Sequence, residues 1–331
     1  MYKDSFGELL KKCTNTIINN FIEEGRIILS EDNPEKSIED FLYSPDFVNA
    51  AIKIYDSQAN DCAQSIESLM FEYASFLKAE DDKFLAIHNL KWRKAFVASD
   101  ILYSCILESA EHYAEFVAER YAGTRCYMYF AIQMIHARAL QMYQEIMCLV
   151  KNGFADGAYA RWRSLYELAI VSAFIKKHGE SVAEAYLNAA DNDNNREWAR
   201  CASCFSSLSV KQRISINMLQ QNCGLDVDAW KHEYELTNQL IHASPTGTVY
   251  RLGTPPKSPN ALAVGRSDYG IGIAAIHAAQ TLAQITLDFF SIFHHADSLL
   301  ATITFRKWVD KIHEFYKEVE EACKDSEPYF E

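Results

Sequence analysis

Apolar residues recur at the i, i+3, i+4, i+7 spacing of a helix face along nearly all of the 331-residue chain. The pattern predicts a first helix from Ser5 to Leu29, stopped at Ser30-Glu31-Asp32-Asn33-Pro34. Ser44-Pro45 is a start signal, a serine cap followed by proline at the first helical position. The helix it opens runs towards Lys78, with a turn expected at Glu80-Asp81-Asp82, and a further long helix spans Phe84 to about Tyr121. Two more follow, Thr124–Val150 ended by Asn152-Gly153 and Ala155–Lys177 closed by His178-Gly179. Helical stretches are predicted at 180–205 and 209–222, and Asp226 can cap a helix running to His242. After the segment 243–272, Ile273–Phe293 returns to helix, and an amphipathic helix over about 302–323 ends the chain.

Composition sharpens this picture. The chain has only 12 glycines and 7 prolines, about 6% together, where an average protein carries about 12%. A β-sandwich, barrel or propeller needs far more turn residues than that. No GxGxxG or GxxxxGK[ST] is present, which argues against a Rossmann or P-loop enzyme. The expected fold is all-α, a multi-helix bundle with long N-terminal helices and one long Gly/Pro-rich loop at about 243–272. Five of the 12 glycines and four of the seven prolines fall in those 30 residues. Three regions are expected: an acidic helical region 1–120, a helical core 121–300 with the candidate site, and a C-terminal helix 301–331.

Net charge is −13, the wrong sign for a general nucleic-acid coat. The acid is uneven, however: residues 1–119 carry 22 acidic and 11 basic side chains, whereas 120–300 carry 15 and 16. The middle of the chain is therefore electrically able to hold a basic site. Nine scattered cysteines and no signal-like start imply a cytoplasmic protein with reduced thiols. Cys201 and Cys204 form a single CxxC without the second pair a zinc site requires. His294-His295 are neighbours that diverge on a helix, so neither metal nor cofactor is expected. The uncharged stretch Ile271–Leu287 contains His277, Gln280, Thr281, Gln284 and Thr286, and reads as a buried central helix rather than a membrane span.

Three constellations can carry chemistry. Arg163 and Glu167 are i,i+4 and share one helix face. They form either a stabilising ion pair or an arginine held by a carboxylate to meet an anion. Tyr234, Asn238 and His242 lie on one stripe of the predicted helix before the loop. A histidine in the last turn of a helix is biased towards its protonated form and suits general acid–base work. The loop contributes Tyr250, Arg251, Lys257 and Arg266 without any acidic residue from His242 to Ser267, a composition suited to phosphate or nucleotide contact or to a connector across the bundle.

Lys151-Asn152-Gly153-Phe154 through Arg161-Trp162-Arg163-Ser164-Leu165-Tyr166-Glu167, Tyr234–His242 with Ala243-Ser244-Pro245-Thr246-Gly247, and Gly265-Arg266-Ser267-Asp268-Tyr269-Gly270 together resemble a bacterial family of unknown function, domain of unknown function 5677, over roughly 125–300. That family implies a helical fold and no particular activity. Thr237-Asn238-Gln239-Leu240-Ile241-His242 is also similar to the Arg-Asn-x-x-x-His signature of HEPN proteins, helical ribonucleases of toxin and phage-defence systems that cleave RNA without metal, usually as dimers. Asn238 and His242 match, and Thr237 stands where the signature has arginine. In this reading Arg163 supplies the missing cation from a neighbouring helix, with Tyr234 or Tyr250 beside it.

Two functions are therefore expected in competition. One is a HEPN-like, metal-independent endoribonuclease acting as a defence or toxin effector. The other is a non-catalytic helical module that binds RNA, a nucleotide or a protein encoded nearby. Both imply a homo-oligomer without membrane attachment.

Overall fold

The computed structural model describes residues 5–191, 196–226, 234–235, 237, 245–249, 251–255 and 264–324. Among them every regular element is a helix. We number them α1 (Ser5–Glu23), α2 (Pro34–Leu42), α3 (Pro45–Lys91), α4 (Arg93–Arg120), α5 (Tyr127–Lys151), α6 (Ala155–His178), α7 (Glu180–Asn188), α8 (Ile216–Cys223), α9 (Pro245–Val249), α10 (Ile271–Phe290) and α11 (Ala296–Lys324). Three short 3-10 turns lie between α7 and α8.

The chain forms two compact units, Met1–Lys83 and Phe84–Glu331. In the first, α1, α2 and the start of α3 enclose a small aromatic core. Phe21, Phe41 and Phe47 meet edge-on with ring centroids 5.4–6.0 Å apart, joined by the buried Ile17 and Ile27. The first helix stops at Glu23, earlier than its apolar pattern suggests, because Gly25 turns the chain at φ 70°. Asn33 caps α2 by accepting a hydrogen bond from the Lys36 amide at 3.1 Å.

The acidic triplet Glu80-Asp81-Asp82 does not end α3, which runs on to Lys91. Glu is a good helix former, and no glycine or proline interrupts the segment. Lys78 and Asp82 even pair at i,i+4, 3.5 Å apart. The break falls instead at Trp92, buried against Phe96 and Tyr316. It is slight: Trp92 N–H still bonds to His88 O at 3.0 Å, and Phe96 N–H to Trp92 O at 2.9 Å.

The second unit is built on three mutually packed helices, α5, α6 and α10. Helix α10 is the centre, flanked also by α4 and α11. Gly272, Ala274, Ala275, Ala278 and Ala279 on it lie buried, as expected of a helix packed closely by neighbours. Buried polar groups on it are satisfied across helices: Thr281 accepts from Trp162 Nε1 at 2.9 Å, and Thr286 pairs with His136 Nε2 at 3.0 Å. Asp288 takes bonds from Ser172 and Lys176 on α6.

Helices 93–120 and 296–324 share this core, through Leu102, Ile106 and Tyr113 on one and Phe305, Ile312 and Tyr316 on the other. Charge marks regional boundaries at 120 and 300, but charge sits on solvent faces and is blind to what the inner face packs against. The predicted helices at 180–205 and 209–222 are shorter than their patterns, leaving α7 and α8 joined by 3-10 turns. Serines and asparagines in that stretch compete with the helical backbone for hydrogen bonds. No helix among the described residues is long and apolar enough to cross a membrane.

Two glycines place the loop that precedes α10. Gly153, between α5 and α6, has φ 77°, and a Cβ there would stand 2.8 Å from the Phe84 ring and 3.0 Å from Ser267 O. Its own carbonyl accepts from Ser267 N–H at 2.9 Å. Gly270 has φ 69° and passes so close to Leu252 that a Cβ would meet its carbonyl oxygen at 2.6 Å.

Candidate functional site

The first constellation comes together as a cluster. Helix α6 is long, apolar on most sides and packed by α5, α10 and α8. Arg163 and Glu167 rise from it side by side, each about a quarter exposed, with Nη2 and Oε1 3.3 Å apart. Tyr234, helical and 5% exposed, completes the group. Its hydroxyl donates to Glu167 Oε1 at 3.0 Å and accepts from Arg163 Nη2 at 3.3 Å. The guanidinium also lies over the Tyr234 ring, 5.3 Å from its centroid. Arg196 approaches the other carboxylate oxygen, with Nη2 3.8 Å from Glu167 Oε2.

Two guanidiniums thus share one carboxylate, so the cluster carries an excess positive charge. Arg163 Nε is buried and has no hydrogen-bond partner among the described residues. Burial pushes the Tyr234 phenol above its usual range, against the opposing pull of Arg163. The hydroxyl therefore keeps its proton near neutrality and acts as a hydrogen-bond donor rather than a base.

An aromatic floor holds the cluster in place. Tyr159, Trp162 and Tyr166 stack along α6 at 5.1 and 5.6 Å, and Tyr166 meets Tyr234 at 5.6 Å. Gln220 on α8 donates to the Tyr166 hydroxyl at 3.0 Å. Burial moves the Tyr166 phenol up to about 12. His277 lies against Trp162 at 4.9 Å. Sequence reasoning did not find Arg196, Tyr166 or Gln220. No spacing marks Arg196, which follows a run of Asp and Asn residues.

His242, Asn238, Tyr250 and Lys257 lie outside the described residues. Thr237, at the position of the signature arginine, is fully buried, and its hydroxyl donates to the Tyr234 carbonyl at 2.8 Å. Arg251 and Arg266 are brought to the α5–α6 turn rather than to the Arg163 cluster. Arg251 stands 3.5 Å from Asp156, whose carboxylate also accepts from Leu252 N–H. Arg266 donates to the Asn152 carbonyl at 2.9 Å and lies over the Phe154 ring. Seven residues of helix, about 10 Å, separate Asp156 from Arg163. Among the described residues no group of three His, Cys, Asp or Glu side chains could hold a metal.

Fold and cluster together define an all-α protein with a partly buried, arginine-rich polar site on its second core helix. Residues 129–211 match DUF5677, a family of unknown function. The match includes Arg163 and Glu167 and stops before Tyr234. Neither the curated proteins nor the solved structures contain a match to this chain.

Proposed function

We propose that the protein is a HEPN-like, metal-independent endoribonuclease, a defence or toxin effector, with Arg163 as the cation of its site. The observation that carries this reading is the convergence of the Arg163–Glu167 pair with Tyr234, 71 positions from Arg163, with Arg163 Nε unpaired among the described residues. In the reaction a ribose 2′-oxygen attacks the adjacent phosphorus and the 5′-oxygen of the next nucleotide leaves. His242 serves as acid or base. Arg163, steadied by Glu167 and Tyr234, neutralises the charge that builds on the phosphoryl oxygens. Asn238 shares the His242 stripe and orients the substrate or the imidazole. The loop residues Tyr250, Arg251, Lys257 and Arg266 hold the flanking RNA.

Purified wild type should cleave single-stranded RNA in the presence of a chelator. His242→Ala and Arg163→Ala should each lose at least about a hundredfold in rate, the usual size of an acid–base or charge-stabilising contribution. Intact RNA with all three proteins, or equal cleavage by all three, would overturn the assignment.

A second reading, a non-catalytic module that binds RNA, a nucleotide or a neighbouring protein, is favoured by Thr237. Its buried hydroxyl is committed to the backbone and offers no cation where HEPN enzymes place one. Tight binding of RNA without cleavage, weakened by Arg163→Ala and indifferent to His242→Ala, is the outcome expected of that module.

A further inference from the structure

One face of α6 sets polar and small side chains in a row. Asp156, Ala160, Arg163, Ser164 and Glu167 follow at helical steps of three and four, and all are partly exposed. The two ends of the row each hold a cation brought from elsewhere in the chain. Arg251 stands 3.5 Å from Asp156, and Arg196 stands 3.8 Å from Glu167. Asp156 and Glu167 are about 16 Å apart along the helix, with Arg163 between them. On α6 itself only Ala160 and Ser164 separate these positions, so the floor between the charges is low. Three guanidiniums thus line the row against two carboxylates.

The positive charge continues beyond Arg196. Residues 196–213 carry Arg196, Arg200, Lys211 and Arg213 against Glu197 alone. Arg200 is committed within this lobe. It donates to Glu197 Oε2 at 2.6 Å and to the Gln212 carbonyl at 2.7 Å, latching the turn at 209–212 onto the 3-10 turn Glu197–Cys201. The Arg200 bond, with the Ile214 amide and the Arg213 charge adding to it, holds the Glu197 carboxyl below its ordinary range. Arg213 is therefore near Glu197, the neighbour of Arg196, and both Lys211 and Arg213 are exposed. Arg196 is held more loosely than Arg200, since 3.8 Å is longer than a hydrogen bond.

We propose that the α6 row and the 196–213 lobe form a track for single-stranded RNA, in which Arg196 binds the phosphate next to the one at Arg163 and Arg213 binds the one after it. A loosely paired guanidinium can exchange its carboxylate for a phosphate oxygen, which its planar donors suit equally well. Arg251 meets the strand on the other side of Arg163. This track rests on the reading of the protein as one that acts on RNA, and it adds residues that hold the strand rather than cleave it.

The test is fluorescence anisotropy of the full chain with a short labelled 2′-O-methyl RNA, which lacks the attacking hydroxyl. Binding is measured in a chelator at several salt concentrations, with circular dichroism to show that each variant keeps its helix content. Each phosphate contact to a single strand contributes about 0.7 to the slope of log affinity against log salt. Arg196→Ala and Arg213→Ala should each reduce that slope by about 0.7 and weaken binding about fivefold or more. Arg196→Lys keeps the charge and should hold the slope near its wild-type value. A wild-type slope in either alanine variant would overturn the track and leave the ribonuclease reading in place. The expected slopes together with native RNA left intact would uphold the track and remove the cleavage. A wild-type chain that does not bind would overturn both.

Discussion

The His88 ring and the Asp268 carboxylate, 180 positions apart, form one polar joint between the end of α3 and the loop that leads into α10. His88 is fully buried, and its other ring nitrogen faces the Val150 carbonyl at 3.0 Å, so both nitrogens meet oxygen acceptors. Lys91 Nζ adds a bond to Asp268 at 3.0 Å. Removing the carboxylate's charge takes away the anion that the buried His88 ring and the Lys91 ammonium both face. Asp268→Asn should cost about 3 kcal/mol in urea unfolding, the scale of a broken buried pair.

The same joint sets an acid limit. Desolvation raises the Asp268 pKa, but the hydrogen bonds from His88 and Lys91 outweigh it and hold the carboxyl below its ordinary range. Its contribution is present in full above the unfolded pKa and is lost as pH falls through the lower folded value. Melting temperature should therefore drop below about pH 4 in wild type, and drop less in Asp268→Asn.

His136 acts in a different window. Complete burial lowers its pKa to about 4. The unfolded chain takes up a proton below the ordinary histidine value while the folded chain does not, so stability falls as pH is lowered from about 6.5 to about 4. The expected loss is about 3 kcal/mol. Urea titrations across that range check it, and His136→Gln should flatten the profile.

In the Arg163 cluster the carboxylate and an anionic ligand compete for the same guanidinium. Glu167→Gln should raise affinity for a labelled RNA oligonucleotide about threefold or more in fluorescence anisotropy, while costing under about 1 kcal/mol of stability. Tyr234→Phe removes both of its hydroxyl bonds and should cost about 1–2 kcal/mol in thermal unfolding.

Gly153 and Gly179 separate two kinds of glycine requirement. Both have positive φ, but only Gly153 has neighbours within reach of a Cβ. Gly179→Ala should cost about 1 kcal/mol from backbone conformation alone. Gly153→Ala should cost roughly 2–4 kcal/mol, because the Phe84 ring and the Ser267 carbonyl must also give way. Denaturation midpoints of the two variants measure the difference.

The helical architecture was legible because every long element repeats its apolar residues at 3.6-residue spacing, as Ile132, Ile135, Ala139 and Tyr143 do along α5. Its interruptions were less so. Glu80-Asp81-Asp82 looks like a turn but sits in an exposed helix that needs no break. Trp92 carries no local stop signal, since the break there comes from burial against Tyr316, more than 200 positions away. In the site, the i,i+4 pair Arg163–Glu167 could be read directly from spacing, and Tyr234 only as a member of a stripe. Arg196 and the His88–Asp268 joint are products of tertiary packing, and no window of sequence contains them.

The clasp around the α5–α6 turn has a consequence for engineering. Leu252 is tied to Asp156, Ser267 to Gly153, and the Ser267 hydroxyl bonds to the Gly253 carbonyl at 2.7 Å. Leu252, Gly253 and Ser267 are thus fastened to the α5–α6 turn and to each other. A tag, a fluorescent reporter or a foreign domain spliced into this chain should leave the bundle around α10 packed only where it spares those three anchors.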